Sequence, residues 1–311
     1  MSVGICVEPP AQHGPVPRTH FAVRGYDLAA TLDSGQAFRW RAGPDGSWTG
    51  VVRGCWVRLR QASDGIGAEA ALPLRHWHWL ADYLQVAVDL DAVLATFPPD
   101  PPLRAAVRAC YGLRLLRQEP WECLASFILS STKRIGHIRQ IVERLCERFG
   151  EPVAVPPGER PAYAFPTAER IARLNARALR ACGMGFRAPY LLETARRVAD
   201  GRFDPAALSA LGLEAARARL CELPGVGAKI ADCVLLFALG FERAFPLDVW
   251  VQRALREWYF PRQRVRPAAL RAFVETHFGP HAGYAQQYLF HFMRTGAGRA
   301  SGRAPCPGGA R

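Results

Sequence analysis

The sequence has 311 residues, of which 50% are hydrophobic, and it carries a formal net charge of +13. A chain of this length and composition can bury one large core or two ordinary ones, which excludes an intrinsically disordered protein. The excess of basic residues predicts a polyanionic partner, with nucleic acid as the leading candidate.

The first third of the chain predicts a small antiparallel β domain spanning residues 18–102. Residues 1–17 are rich in Pro and Gly, and we expect them to be loosely ordered. The alternating segment Gln36–Trp40 predicts a strand, and residues 48–52 and 55–59 flank Arg53-Gly54 as a hairpin. Residues 74–97 return to helical spacing before Pro98-Pro99.

Residues 103–295 predict an almost wholly helical domain. Apolar residues recur at i, i+3 and i+4 in seven segments, and residues 266–295 add one or two further helices. The seven segments are 121–129, 135–149, 167–182, 188–200, 213–221, 228–239 and 248–258. Residues 296–311 are rich in Gly, Pro and Arg and predict a disordered tail. The predicted fold class is therefore α+β, mainly α.

The nine cysteines stand singly, without any Cys-x-x-Cys pair. This spacing supports neither a zinc site nor an iron–sulfur cluster, and it favours a reducing compartment. The longest apolar run, 233–241, is far shorter than the roughly 20 residues of a membrane span. The N-terminus also lacks the pattern of a signal peptide, so we expect a protein of the cytoplasm or nucleoid.

Only two of the 40 basic residues are lysines, Lys133 and Lys229. Lys229 follows the turn Leu223-Pro-Gly-Val-Gly227 and opens an apolar helix. An amine can lose its proton and attack an electrophilic carbon, whereas a guanidinium stays protonated. Lys229 is therefore a candidate nucleophile. Composition alone leaves an ordinary solvated lysine equally open.

Two neighbouring features support chemistry at Lys229. Gly225 and Gly227 permit a tight turn whose backbone N–H groups can bind a phosphate, although such turns also occur as plain connectors. Asp248 stands where a helix begins, so it can serve as an N-cap worth about 1 kcal/mol. It can equally place a carboxylate beside the nucleophile, to stabilise a developing cation or shuttle protons.

The chain resembles the eukaryotic-type 8-oxoguanine DNA glycosylases of the helix-hairpin-helix–GPD superfamily. Four collinear stretches carry the resemblance, which runs from about residue 20 to 295: Ser34-Gly-Gln-Ala-Phe-Arg-Trp40, Gln118-Glu-Pro-Trp-Glu-Cys123, residues 223–233 and Gly279-Pro-His-Ala-Gly-Tyr-Ala-Gln286. The resemblance implies an N-terminal antiparallel β domain of the TBP-like type, followed by a helical glycosylase domain.

The resemblance implies base-excision repair of 8-oxoguanine in duplex DNA by a bifunctional N-glycosylase and abasic-site lyase. Lys229 would attack C1′ and form a Schiff base, Asp248 would support the oxocarbenium-like state, and β-elimination would nick the strand. A monomer without cofactor is implied. The backbone carbonyls of Cys221, Leu223 and Val226 would hold a structural cation against the DNA.

The same resemblance assigns the lesion pocket. The Gly35 carbonyl would accept a hydrogen bond from N7–H, which oxidation at C8 creates on guanine. Gln286 would pair with the Watson–Crick edge, and Cys233 and Phe290 would enclose the base. From the residues alone, Gly35 is a turn glycine and the other three are core residues.

On the DNA-facing side the chain departs from the family pattern. Phe186-Arg187 matches the wedge and its following arginine, but Thr132, Lys133 and Arg134 replace three asparagines. His137 stands in place of an arginine that reads the orphan cytosine. Trp250 stands in place of a histidine that faces a phosphate. We therefore expect weaker discrimination for cytosine opposite the lesion, unless Lys133 or Arg134 fills the vacated position differently.

Two other functions remain open from the sequence. One is a glycosylase for another oxidised purine, such as a formamidopyrimidine. The other is a non-catalytic DNA-binding module that uses the hairpin as a phosphate clamp, which would not need Lys229 and Asp248 together. An adenine glycosylase is disfavoured because the cysteines lack cluster spacing and the hairpin carries a lysine.

Overall fold

An antiparallel sheet of five strands forms the N-terminal part of the protein. The computed structural model describes residues 16–71, 76–130 and 134–296. The strand order is β1-β5-β4-β3-β2. The strands are β1 (Arg18–Ala22), β2 (Arg41–Ala42), β3 (Trp48–Val52), β4 (Cys55–Ala62) and β5 (Gly65–Ala70).

The predicted hairpin between β3 and β4 is confirmed. Val52 pairs with Cys55, which leaves Arg53 and Gly54 as a two-residue turn. Both turn residues have positive φ angles, 49° for Arg53 and 75° for Gly54. A turn of this kind matches the twist of the flanking strands, which explains why it closes the hairpin.

The prediction of a strand at Gln36–Trp40 is wrong. This segment follows the short helix α1 (Leu28–Asp33) and pairs with no strand among the described residues. Its side chains contact two hydrophobic cores: Phe38 belongs to the core of the helical part, and Ala37 and Trp40 to the core under the sheet. The segment joins the two cores, so nearly all of it is buried and the expected strand alternation is absent.

Buried hydrogen bonds hold this connecting segment in place. The side-chain amide of Gln36 donates to the carbonyls of Thr31 (3.0 Å) and Arg114 (2.8 Å), and its oxygen accepts from the Leu116 N–H at 2.8 Å. Gln36 is fully buried, so these bonds satisfy an amide that would otherwise be costly to bury. They attach the segment to residues 114–116, which lead into the helical part.

The rest of the described chain is mainly helical, which confirms the predicted α+β, mainly α fold class. The helices are α2 (His78–Leu84), α3 (Leu90–Ala95), α4 (Pro101–Cys110), α5 (Pro120–Ser130), α6 (Ile135–Phe149), α7 (Ala168–Ala172), α8 (Ala176–Arg180), α9 (Ala188–Ala199), α10 (Leu213–Cys221), α11 (Ala228–Phe237), α12 (Val249–Trp258), α13 (Pro267–His277) and α14 (Ala282–Thr295). A two-stranded ribbon of β6 (Pro152–Val153) and β7 (Ala162–Tyr163) was not predicted.

The segment predicted as one helix over 167–182 contains two helices instead. Asn175 stands between α7 and α8, in extended backbone conformation, and its side chain accepts a hydrogen bond from the Ala178 N–H at 2.9 Å. Asparagine favours such N-caps over helix interiors, so it divides the predicted helix into two.

Some predictions concern residues that the structure does not describe. The loosely ordered N-terminus lies outside the described residues from 1 to 15, and the predicted tail lies outside them from 297 to 311. Within the described ranges, every helix is too short or too polar to cross a membrane.

Candidate active site

A tight hairpin between α10 and α11 presents Lys229 in the first turn of α11. Gly225 in the hairpin has φ +74°, and a Cβ atom there would lie 2.5 Å from Cδ2 of Tyr190. A side chain at this position would be strained and would also clash with the Tyr190 ring. The glycine is therefore required where the hairpin passes Tyr190 on α9.

A buried ion-pair cluster anchors the helix that carries Lys229. Asp232 is fully buried on α11 and accepts hydrogen bonds from Arg217 of α10 at 2.7 Å and Arg271 of α13 at 3.3 Å. Burial raises the pKa of Asp232, and the two guanidinium groups oppose this shift. Three helices are thereby joined beside the nucleophile. The sequence analysis gave Asp232 no role.

The Lys229 amine faces a hydroxyl and an aromatic ring. Its Nζ lies 3.5 Å from Oγ of Ser130 and 5.6 Å from the ring centroid of Phe127, both on α5. Lys229 forms no ion pair within the described part of the chain. An amine without a salt-bridge partner keeps its lone pair accessible once it loses its proton.

Asp248 combines both roles that the sequence left open. It caps α12, where its Oδ1 accepts a hydrogen bond from the Val251 N–H at 2.8 Å. It also lines the same cavity as Lys229. Burial raises the pKa of Asp248, while the Val251 N–H and the charge of Lys229 oppose the shift.

The cavity has a volume of about 520 Å³, within the usual range for sites of small organic groups. It brings together six of the predicted site residues: Gly35, Arg134, Lys229, Asp248, Trp250 and Phe290. The other lining residues are Phe38, Phe127, Ser130, Ile135, Gly136, Ile138 and Arg294. The candidate nucleophile, a carboxylate and aromatic side chains therefore line one cavity.

Gly35 enters this cavity in a conformation that only glycine adopts readily. Its φ is +82°, and a Cβ atom would lie 2.5 Å from Cδ1 of Ile135. Two side chains of α14 secure the preceding residues: Gln287 donates to the Ser34 carbonyl at 3.1 Å, and Arg294 donates to the Asp33 carbonyl at 2.6 Å. Hydrogen bonds from α14 thus fix the backbone directly before Gly35.

Comparison with known proteins identifies the family. Residues 19–124 match the N-terminal domain of 8-oxoguanine DNA glycosylases, and residues 125–278 match the HhH-GPD superfamily of base excision DNA repair proteins. A probable N-glycosylase/DNA lyase of Methanothermobacter thermautotrophicus is 33% identical over 217 residues, which cover 64% of this chain and 69% of the relative. The protein belongs to the 8-oxoguanine DNA glycosylase family.

Other members of the family agree in sequence and fold. The N-glycosylase/DNA lyase OGG1 of Arabidopsis thaliana is 29% identical over 85% of this chain and 76% of its own length. The structure of MBOgg1 with a low-affinity DNA ligand aligns with a TM-score of 0.86 and 31% identity, over 92% of this chain and 98% of that one.

This chain also aligns with the Clostridium acetobutylicum 8-oxoguanine glycosylase/lyase, in a structure bound to duplex DNA with cytosine opposite 8-oxoguanine. Its TM-score is 0.83 and its identity 29%, over 88% of this chain and 93% of that one. Together these findings confirm the predicted family and the predicted enzyme class.

Two residues predicted for the glycosylase pocket lie behind the cavity wall. Cys233 and Gln286 are each 3% exposed and do not line the cavity. Each is one helical turn from a lining residue, Cys233 from Lys229 on α11 and Gln286 from Phe290 on α14. Burial raises the pKa of Cys233 to about 12, so its thiol stays neutral. The Gln286 Oε1 atom is buried without a partner among the described residues.

The predicted wedge of the glycosylase is largely exposed to solvent. Phe186 lies in a 3-10 turn, Gly185–Arg187, with 61% of its surface exposed. The Arg187 guanidinium lies 4.9 Å from the centroid of its ring. Gly225, Gly227 and His137 are also exposed. Most of the Phe186 ring is therefore accessible, next to a guanidinium and close to the hairpin, as the predicted wedge requires.

Thr132 and Lys133 lie outside the described residues, while Arg134 is exposed at the start of α6. Sequence analysis missed Gln287 and Arg294, which follow Gln286 and Phe290 on α14. The i+4 spacing of Arg294 from Phe290 was a usable signal, because it places both on one face of the helix.

Proposed function

We propose that this protein removes 8-oxoguanine from duplex DNA through a covalent Lys229 intermediate and then cleaves the strand. The single observation that carries the proposal is the shared cavity of Lys229, Asp248 and Gly35. DNA is the partner of this family. All three residues come from one chain, so a monomer suffices for the reaction.

The first chemical step replaces the bond between C1′ and the base nitrogen. The neutral Lys229 amine attacks C1′, the base leaves with the bonding electrons and takes up a proton, and the amine loses one. Asp248 supplies negative charge beside the positive charge that develops on the sugar. Arginine at this position could not react, because its guanidinium stays protonated.

The second step cleaves the strand. The aminosugar opens to an iminium ion between Nζ and C1′, which acidifies the protons on C2′. Removal of one C2′ proton expels the 3′ phosphate, and water then releases Lys229 from the product. Asp248 lies beside Lys229 in the cavity and is the carboxylate placed to accept and return protons.

Selection of the lesion rests on the Gly35 carbonyl. Normal guanine presents an acceptor at N7, so a carbonyl placed there meets a second acceptor and rejects the base. The lesion carries N7–H and donates to the same carbonyl. The penalty for an unmatched buried polar group is about 1–3 kcal/mol, enough for roughly ten- to hundredfold discrimination from this contact.

The unpaired Oε1 of Gln286 supports a role for this amide in base recognition. A buried amide oxygen without a partner costs free energy, and a bound base that donates to it would remove this cost. Phe290 lines the cavity, and Cys233 lies one helical turn from Lys229, so the two residues would enclose the base once it enters.

We propose that the protein discriminates weakly for cytosine opposite the lesion, because His137 and Arg134 stand where the family has other residues. Single-turnover excision opposite C, A, G and T measures this directly. Similar rates for the four duplexes support the proposal, while a strong preference for C contradicts it and favours a compensating role for Arg134 or Lys133.

The hairpin carbonyls also suit a structural cation. Among the described residues, the carbonyls of Cys221 and Val226 accept no hydrogen bond, and the Leu223 carbonyl accepts only the Val226 N–H at 3.1 Å. Oxygen ligands of this kind suit hard cations. The residues therefore fit a cation that meets a DNA phosphate. No group of three His, Cys, Asp or Glu side chains in the described chain is placed to hold a metal.

The substitution Lys229→Arg separates this enzyme from a DNA clamp. Because charge and length are retained, we expect affinity for duplex DNA within about twofold of wild type, while base release falls by at least about a thousandfold. Equal base release by the variant and the wild type would refute a covalent role for Lys229.

A further inference from the structure

A stretch of the chain around the wedge contains cations without acidic partners. Between Glu169 and Glu193 there are no Asp or Glu residues, but five arginines occur, at 170, 173, 177, 180 and 187. None of the five forms an ion pair with any residue that the structure describes.

Two of these arginines on α8, together with two others on α6, make up a set that we call the arginine patch: Arg144, Arg148, Arg177 and Arg180. All four are exposed. The segment after α8 packs on α6: the Cys182 thiol donates to the Arg144 carbonyl of α6 (3.9 Å) and to the Ala178 carbonyl of α8 (3.8 Å). The pKa of Cys182 is raised by burial and held back by the charges of Arg148 and Arg144.

The spacing of the arginines within the patch places like charges close together when no DNA is bound. Arg177 and Arg180 are three residues apart on α8, and Arg144 and Arg148 are four apart on α6, so like charges share a face of each helix. Glu147 also lies on α6, but within the described chain it forms no ion pair with Arg144 or Arg148. Elsewhere arginine is paired at such spacing: Arg197 with Glu193 at 3.0 Å and Arg253 with Glu257 at 2.6 Å. A polyanion bound to the patch would offset the repulsion.

The wedge segment separates the patch from the hairpin. On one side, the Phe186 ring lies 6.5 Å from the Tyr190 ring, which packs against Gly225 of the hairpin. On the other side is Gly183, where a Cβ atom would lie 3.3 Å from Nη1 of Arg144. An aromatic wedge that enters a duplex has one strand on each flank.

We propose that the arginine patch binds backbone phosphates of the undamaged strand, while the hairpin binds the strand that carries the lesion. This inference rests on the proposed function, because the cavity and hairpin define which strand is damaged. Guanidinium groups bind phosphates through paired hydrogen bonds and do not read sequence. The patch would hold the undamaged strand while the lesion nucleotide leaves the helix.

The test compares Arg177→Gln/Arg180→Gln with the matched control Arg104→Gln/Arg108→Gln on α4. The control arginines are also exposed and also lack ion pairs within the described chain. Binding is measured to a duplex with a stable abasic-site analogue, and to the single strand with the same analogue, at several salt concentrations.

For the patch variant, we expect the slope of log affinity against log salt on duplex DNA to fall by about 2, since each lost phosphate contact contributes about 0.9. Affinity for the duplex falls about tenfold, and affinity for the damaged single strand stays within about twofold. The control variant matches wild type on both substrates. Equal losses on the single strand, equal losses in the control, or no loss on the duplex would each overturn the proposal.

Neutral phosphate analogues show which of the two strands the arginine patch contacts. Methylphosphonates placed in the undamaged strand should weaken wild-type binding and have little further effect on the patch variant. In the damaged strand, they should weaken both proteins equally. Cleavage of a single-stranded abasic site reports on Lys229 alone. If wild type does not cleave the single-stranded abasic site, the proposed function is wrong. If methylphosphonates in the undamaged strand weaken binding by the patch variant as much as they weaken binding by wild type, the proposed role of the arginine patch is wrong.

Discussion

The side-chain amide of Gln287 donates a 3.1 Å hydrogen bond to the carbonyl of Ser34, one residue before Gly35. Gln287 is 2% exposed and Ser34 is fully buried, so water does not compete for this contact. A side chain of α14 thereby sets the orientation of the backbone directly before Gly35, which lines the cavity.

The substitution Gln287→Leu removes this bond and leaves the buried Ser34 carbonyl unsatisfied, at a cost of about 1–3 kcal/mol. We expect excision of 8-oxoguanine to fall at least about tenfold, because 1.4 kcal/mol of lost positioning corresponds to a factor of ten. Cleavage at a preformed abasic site needs no base recognition and should retain its rate. Parallel loss of both activities would indicate general destabilisation instead.

Gly35→Ala should abolish lesion excision while leaving abasic-site cleavage measurable. A Cβ atom at Gly35 would lie 2.5 Å from the Ile135 side chain and at φ +82°. Gly46→Ala is the matched control, since Gly46 has φ +76° and open space around it. Both variants carry backbone strain of about 1–2 kcal/mol, so only the steric effect differs. Equal excision rates in the two variants would contradict a close approach at Gly35.

Asp248→Asn should raise thermal stability at neutral pH while abolishing excision. Burial raises the pKa of Asp248, so ionisation in the folded state costs free energy, and stability falls as pH rises through that pKa. Asparagine keeps the cap on the Val251 N–H but cannot ionise. Melting curves from pH 4 to 8 should show an advantage for the variant that shrinks towards acid pH. An advantage that grows towards acid pH would contradict this assignment.

Phe186→Ala should slow excision from duplex DNA without destabilising the protein. The side chain is 61% exposed, and Leu211, at 39% exposed, provides a control on a surface away from the wedge. We expect a decrease of about tenfold or more for Phe186→Ala, from the roughly 1–3 kcal/mol of lost base stacking, and no change for Leu211→Ala. Single-turnover rates on one duplex measure both.

The proposed catalytic residues could be selected from the sequence because each has an unusual residue type or position. Lys229 is one of two lysines among 40 basic residues, and Asp248 stands at a helix start with an N-cap pattern. The helices were predictable for a similar reason, since their apolar faces repeat at the helical period. The division of 167–182 at Asn175, the segment Gln36–Trp40 and the ribbon of β6 and β7 departed from the predicted pattern.

Other features depend on contacts between distant parts of the chain. Gln287 and Arg294 form hydrogen bonds with the two residues before Gly35, more than 250 positions earlier in the sequence. The sequence shows a polar residue on a buried helix face, but it does not show which residue that side chain will contact. The spacing of Phe38 and Trp40 predicted one face of a strand, but the two side chains pack into different cores. Sequence periodicity reports which side chains are buried, but not against which element they pack.

The most direct test of the central claim is borohydride trapping on a duplex that contains one 8-oxoguanine opposite cytosine. Wild type should give a covalent protein–DNA adduct, Lys229→Gln should give none, and Lys133→Gln, at the other lysine of the chain, should still give it. A trapped adduct that survives in Lys229→Gln, or the absence of an adduct from a folded wild type that binds the duplex, would contradict Lys229 as the nucleophile.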